Sequence, residues 1–177
     1  RCGRRPDRRR RASRRGLAVD LTASDLNPDL VSSARLRFER DGTPVTARVA
    51  DATDLSEMAD GSFHAAVMAL ALHHLPSNIV LSALRELDRV SAGGMAVIDI
   101  RRSPLAMLGL PPLALAMAPA GGRRFALHDT VATVRRSYTV AELRTLLDEA
   151  GLGDRYRAGL LPVWHPQRIF ISAIWPR

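Results

Sequence analysis

The chain has 177 residues, 46% of them hydrophobic, which suits one domain with a sizeable core. Its single cysteine, Cys2, excludes a disulfide framework and any cysteine-based zinc site, and no metal is expected. The net charge of +8 sits in the first 15 residues, where nine arginines face one acid; residues 16–177 carry 17 of each sign, so a basic nucleic-acid-binding face is not expected.

Residues 1–15 are read as an arginine-rich tail outside the domain, disordered or misread. No apolar leader is seen in them, so the location expected is the cytoplasm. From Gly16 onward, strand-like and helix-like segments alternate. Residues 17–23 (LAVDLTA) form a short apolar strand ending at SDLNPD. A helix follows over Pro28–Arg40, with Asn27 as N-cap and Leu30, Val31, Ala34 and Phe38 toward one face. Residues 45–50 form a second strand ending at Asp51, and residues 64–72 (HAAVMALAL) a third, after the Asp60-Gly61 turn. A helix over residues 77–90 has Ile79, Leu84 and Leu87 inside. Gly93-Gly94 then turns the chain into a fourth strand, MAVIDI.

Residues 104–120 are apolar all round, but they are short for a membrane span and broken by Gly109, Pro111 and Pro112. They are read as a kinked, buried helix pair, with a substrate-covering lid as the alternative and membrane contact disfavoured. A helix over residues 139–150 stops at Gly151. Two final strands, 155–162 and 168–175, make an antiparallel end to the sheet. Apolar strands separated by helices imply a doubly wound α/β domain, with a mostly parallel sheet and helices on both faces.

In such sheets ligands bind beyond the carboxyl ends of the strands. Asp25 and Asp51 follow successive strands there. Each suits either a helix or turn cap or an acceptor for the hydroxyl and amino groups of a nucleoside.

In order and spacing, SDLNPDLVSSAR (24–35), ADATDL (50–55), DGSFHAAVMALALHHLP (60–76), RELDRVSAGGMAVIDI (85–100) and SYTVAELRTLLDEAGL (137–152) resemble a class I methyltransferase. IDIRRSPLA, His128-Asp129 and RRSYT further resemble methyltransferases associated with bacterial polyketide genes. The resemblance implies S-adenosylmethionine as cofactor and a small, apolar or polyketide-like acceptor. It implies that Asp25 binds the ribose hydroxyls with Leu26 beside the adenine, and that Asp51 takes the adenine amino group with the Ala52 N–H on the ring. Ala69, with the residues up to Leu72, would line the methionine side.

His73, His74 and His128 are the candidate bases, each weighed against a purely structural role in orienting a loop or capping a helix. Residues 103–136 are the candidate substrate-covering insertion. The sequence departs from the family pattern at His64, where an Asp is usual. It also shows no apolar strand and glycine-rich turn ahead of residue 17, where the backbone would approach the cofactor. Weak cofactor binding by the chain as written is therefore expected, with a non-catalytic Rossmann-like binding protein as the rival. The acceptor and the oligomeric state stay open.

Overall fold

A computed structural model describes residues 19–119, 122–161 and 170–177. The expected tail, residues 1–15, lies outside the described residues. Two compact units are formed, one ending at Ala52 and one running from Thr53 to Arg177.

In the first unit, β1 (Leu21–Asp25) and β2 (Val45–Val49) pair in parallel, Leu21 beside Val45 and Asp25 beside Val49. Between them runs α1 (Pro28–Arg40), with the bounds predicted. The Asn27 side chain accepts from the N–H groups of Asp29 and Leu30 at 2.9 and 3.4 Å. Pro28 is tolerated because a first-turn residue has no intrahelical partner for its N–H. The helix packs on β2 with Val31 buried, and Arg35 reaches the Ala47 carbonyl at 3.1 Å. Leu30 is 56% exposed, contrary to its predicted inward place. A two-stranded sheet is narrow, so only the stripe of Val31, Ala34 and Phe38 is covered.

The second unit contains β3 (Ala66–Ala69), a 3-10 turn (Leu72–His74), α2 (Ser77–Val90), β4 (Met95–Ile100), α3 (Pro104–Met117), α4 (Arg123–Arg136), α5 (Val140–Glu149), β5 (Tyr156–Leu160) and β6 (Ile171–Pro176). The sheet order is β3-β4-β6-β5; β3 and β4 are parallel, and β6 is antiparallel to both neighbours. The predicted antiparallel end is thus present, but the last strand is inserted beside β4. Register sets Met68, Val97, Ile174 and Ala158 side by side, one per strand and all buried. On this unit's core converge Val80, Ala83 and Leu84 of α2 and Leu143 and Leu147 of α5, two helices in mutual contact. Thr139 and Glu142 start α5 with a capping box, each side chain bonding the other's backbone N–H.

Two expectations change here. The strand predicted over residues 64–72 stops at Ala69, because Leu70 takes a left-handed φ of 55° and Leu72–His74 curl into the 3-10 turn. The segment read as a kinked, buried helix pair is a single helix, α3, in which only Ala106 and Pro111 are buried. Leu108 and Met117 are 74% and 78% exposed. An all-round apolar sequence carries no phase, so it could not reveal that, among the described residues, the helix packed most closely along it is α4, itself absent from the predicted elements.

Arg89 on α2 anchors the loop before β3. It donates to the carbonyls of Leu55 and Met58, both at 2.8 Å, and to the carboxylates of Asp60 and Glu86. Glu86 in turn accepts the Leu55 N–H at 2.8 Å. The hydrogen bond from Arg89 holds the Glu86 carboxyl below its usual range. A lowered carboxyl contributes stability above its unfolded value of about 4.3 and loses it as pH falls through the folded value. Glu86→Gln is therefore expected to flatten the drop in urea midpoint between pH 5 and pH 3. An identical drop in both proteins would refute the assignment.

Candidate functional site

In the first unit the two predicted acids come to one end of the sheet. Asp25 closes β1 and lies in register with Val49, the last residue of β2; Asp51 follows two residues later. Neighbouring strands run about 4.8 Å apart, so the two carboxylates leave adjacent strand ends. The backbone ties these ends together through the Ala50 N–H, which donates to the Asp25 carbonyl at 3.1 Å. One Asp25 oxygen accepts the Asn27 N–H at 2.8 Å. Asn27, not Asp25, caps α1. A carboxylate has about four lone-pair sites, so Asp25 keeps capacity for further donors. Leu26 is 65% exposed, Asp51 is exposed and Ala52 half-buried. Acceptors on adjacent strand ends beside an exposed apolar side chain fit the hydroxyls, amine and flat ring of a nucleoside.

In the second unit, Ala69 is the exposed last residue of β3. Beyond it lies a buried pair. His73 Nδ1 is 2.7 Å from Asp99 Oδ1, and the His73 backbone N–H donates to Asp99 Oδ2 at 2.9 Å. Both side chains are 5% exposed. Asp99 Oδ1 also accepts the Ile100 N–H at 2.6 Å. An ionised carboxylate only accepts, so Nδ1 carries the proton in this pair. The His74 ring lies tilted against the His73 ring, centroids 4.0 Å apart and planes at 42°, and is exposed. His73, His74 and Asp99 therefore meet at the carboxyl ends of β3 and β4.

His128 and Asp129 are exposed in the middle of α4, which rules out the capping role weighed for them. The helix itself packs on the 3-10 turn. Past β4, the Tyr138 carbonyl accepts the Arg102 N–H at 3.0 Å. Burial, aided by Glu142 and Asp99, pushes the Tyr138 phenol up, so it keeps its proton at neutral pH. A groove of about 450 Å³ between α5 and β5, lined by Arg144, Arg157 and Trp175 among others, contains none of the candidate residues.

Asp99 is the residue that the sequence reading missed. Its signal was phase: Met95 and Val97 point into the core, and Asp99 continues that alternation as an acid. A buried acid needs partners, and His73 supplies two.

The family model for the methyltransferase domain matches residues 7–94. No curated protein matches the chain by sequence. Among solved structures, a SAM-dependent methyltransferase from Aquifex aeolicus is 18% identical, with 89% of this chain and 68% of that chain covered and a TM-score of 0.58. The plantazolicin methyltransferase BamL, solved with a desmethyl analogue and SAH, is 11% identical with a TM-score of 0.64, covering 93% of this chain and 70% of that one. The CMeT domain of a citrinin polyketide synthase is 15% identical with a TM-score of 0.59, covering 92% of this chain and 40% of that one. At these identities the likeness is one of fold.

Proposed function

We propose that the chain is a class I, S-adenosylmethionine-dependent methyltransferase, as its methyltransferase-domain match and its fold support, and that it transfers the cofactor's methyl group to a small apolar acceptor. The observation that carries this reading is the pair of carboxylates, Asp25 and Asp51, on adjacent parallel strand ends. When bound, the cofactor would supply a methyl group on a sulfonium for transfer to an oxygen, nitrogen or carbon nucleophile, with S-adenosylhomocysteine as the leaving group.

In this reading Asp25 accepts the ribose hydroxyls and Leu26 packs beside the adenine. Asp51 accepts the amino group, Ala52 offers its N–H to the ring, and Ala69 lines the methionine side. Residues 103–136 cover the acceptor. Supporting that role, α3 contains no charged residue and leaves Leu105, Leu108, Leu113 and Met117 exposed. The plantazolicin methyltransferase and the polyketide synthase CMeT domain among the similar structures point the same way. Buried against Asp99, His73 acts by shaping its turn. Transfer to an acidic nucleophile then rests on proximity and alignment, without a general base.

Ligand-observed NMR with S-adenosylhomocysteine reads even weak binding, and mass spectrometry with CD3-labelled cofactor reads transfer to aromatic or polyketide-like acceptors. Asp25→Ala and Asp51→Ala are each expected to weaken nucleoside binding about 10–100-fold, the worth of one charge-assisted hydrogen bond. His128→Ala should leave it unchanged. Binding without label transfer to any acceptor would favour a non-catalytic binding protein, and absence of both would end the proposal.

A further inference from the structure

We infer that Asp99 is a positioning residue: its carboxylate holds the Leu70–His74 segment in the shape that meets the cofactor. For the identity of the ligand, this rests on the methyltransferase reading above. The segment is built against its own backbone preferences. Leu70 sits at φ 55°, a region that a bulky side chain avoids unless its surroundings hold it there. Two consecutive residues of β4 do the holding. The Ile98 carbonyl accepts the Leu70 N–H at 2.8 Å, and the Asp99 carboxylate takes both N–H groups that His73 offers on this side, backbone and ring.

The segment divides into anchors and presented groups. Leu72 and His73 are buried, whereas Leu70 (54% exposed) and His74, with Ala69 at the end of β3 before them, are exposed at two parallel strand ends. In open α/β sheets that is where ligands are met. An apolar pair of similar volume would fill the space under the turn at no greater cost, since burying a charged partner is expensive. What an apolar pair lacks is direction. The carboxylate fixes a ring, the His73 backbone N–H and the Ile100 N–H at the end of β4 from a single point.

The test uses the full chain with Asp99→Ala and Asp99→Asn. Amide hydrogen exchange at residues 70–74 and long-range ¹H–¹⁵N spectra of the His73 ring report on the clamp. The KM for S-adenosylmethionine against kcat, or S-adenosylhomocysteine affinity where turnover is slow, reports on the presented face. Asp99→Ala is expected to speed exchange across the segment and raise the cofactor KM about tenfold, while kcat changes much less. Asparagine with its carbonyl on the His73 backbone N–H offers an NH2 group to the ring, which drives the ring proton to Nε2, and gives up the bond from the Ile100 N–H. That variant should recover part of the KM while showing the other tautomer.

Unchanged exchange in Asp99→Ala would overturn the clamp. Faster exchange with an unchanged cofactor KM would overturn the positioning role. If the wild type neither binds nor turns over, the methyltransferase reading fails by itself, and exchange at residues 70–74 still decides whether Asp99 holds the segment.

Discussion

Tyr156→Ala is expected to cost about 3–5 kcal/mol of folding free energy, the range for deleting a buried aromatic ring. Tyr156 opens β5 at 2% exposure and is among the largest fully buried side chains. Its hydroxyl donates to Asp88 Oδ1 at 2.5 Å and accepts the Met95 N–H at 3.1 Å. One residue thereby joins the end of α2, the start of β4 and the edge strand. Burial pushes the phenol's pKa up and Asp88 pushes it further, so the hydroxyl stays protonated and able to donate. Arg155 holds the other Asp88 oxygen at 2.5 Å, which leaves Tyr156 free of the carboxylate's full charge. Tyr156→Phe separates the two contributions. It keeps the ring, strands the Met95 N–H and should cost about 1–2 kcal/mol. Urea denaturation of both variants tests this, and equal losses would show that the ring's packing contributes nothing.

How much of this was legible depended on whether a signal was local. The helix over Pro28–Arg40 was readable to the residue because Asn27 and Pro28 each act within one turn. Glycines 93 and 94 marked the entry to β4, and Gly151 marked the end of α5. The strand ends carrying Asp25 and Asp51 were readable for the same reason, although β1 itself lies a few residues later than expected. Non-local facts were not readable. That β6 would insert between β4 and β5 depends on pairing across about 70 residues of chain. That β3 would stop at Ala69 depends on Asp99, 26 residues from His73, holding a turn that the apolar run HAAVMALAL conceals. The α3–α4 hairpin shows a third failure, in which uniform apolarity gives composition without a face.

Gly93→Ala is expected to cost about 3 kcal/mol, the upper end for forcing extra atoms into a packed site. The sequence suggests a turn glycine valued for its freedom, yet Gly93 has no positive φ; that belongs to Gly94, at 107°. What Gly93 provides is room. Its N–H donates to the His64 carbonyl at 2.8 Å, and a Cβ would stand 2.6 Å from that same backbone oxygen. Neither side can yield alone. The Phe63 and Ala92 backbones are bonded to the same ladder, with Phe63 N–H on the Val90 carbonyl at 3.0 Å and Ala92 N–H on the Phe63 carbonyl at 2.8 Å. Relief must therefore come from shifting the start of β4 against β3, where Ala66 pairs with Met95. Asp99 rides on that strand, so the same shift should loosen the His73 turn as well as lower stability. Gly151→Ala is the control. It lies in the same unit at φ 76° with nothing within 4 Å of an added Cβ, so it should cost only the backbone penalty of about 1–2 kcal/mol. Denaturation midpoints and His73 amide exchange compare the two variants. A Gly93→Ala protein no weaker than Gly151→Ala, with His73 still protected, would show that strand register does not depend on this contact.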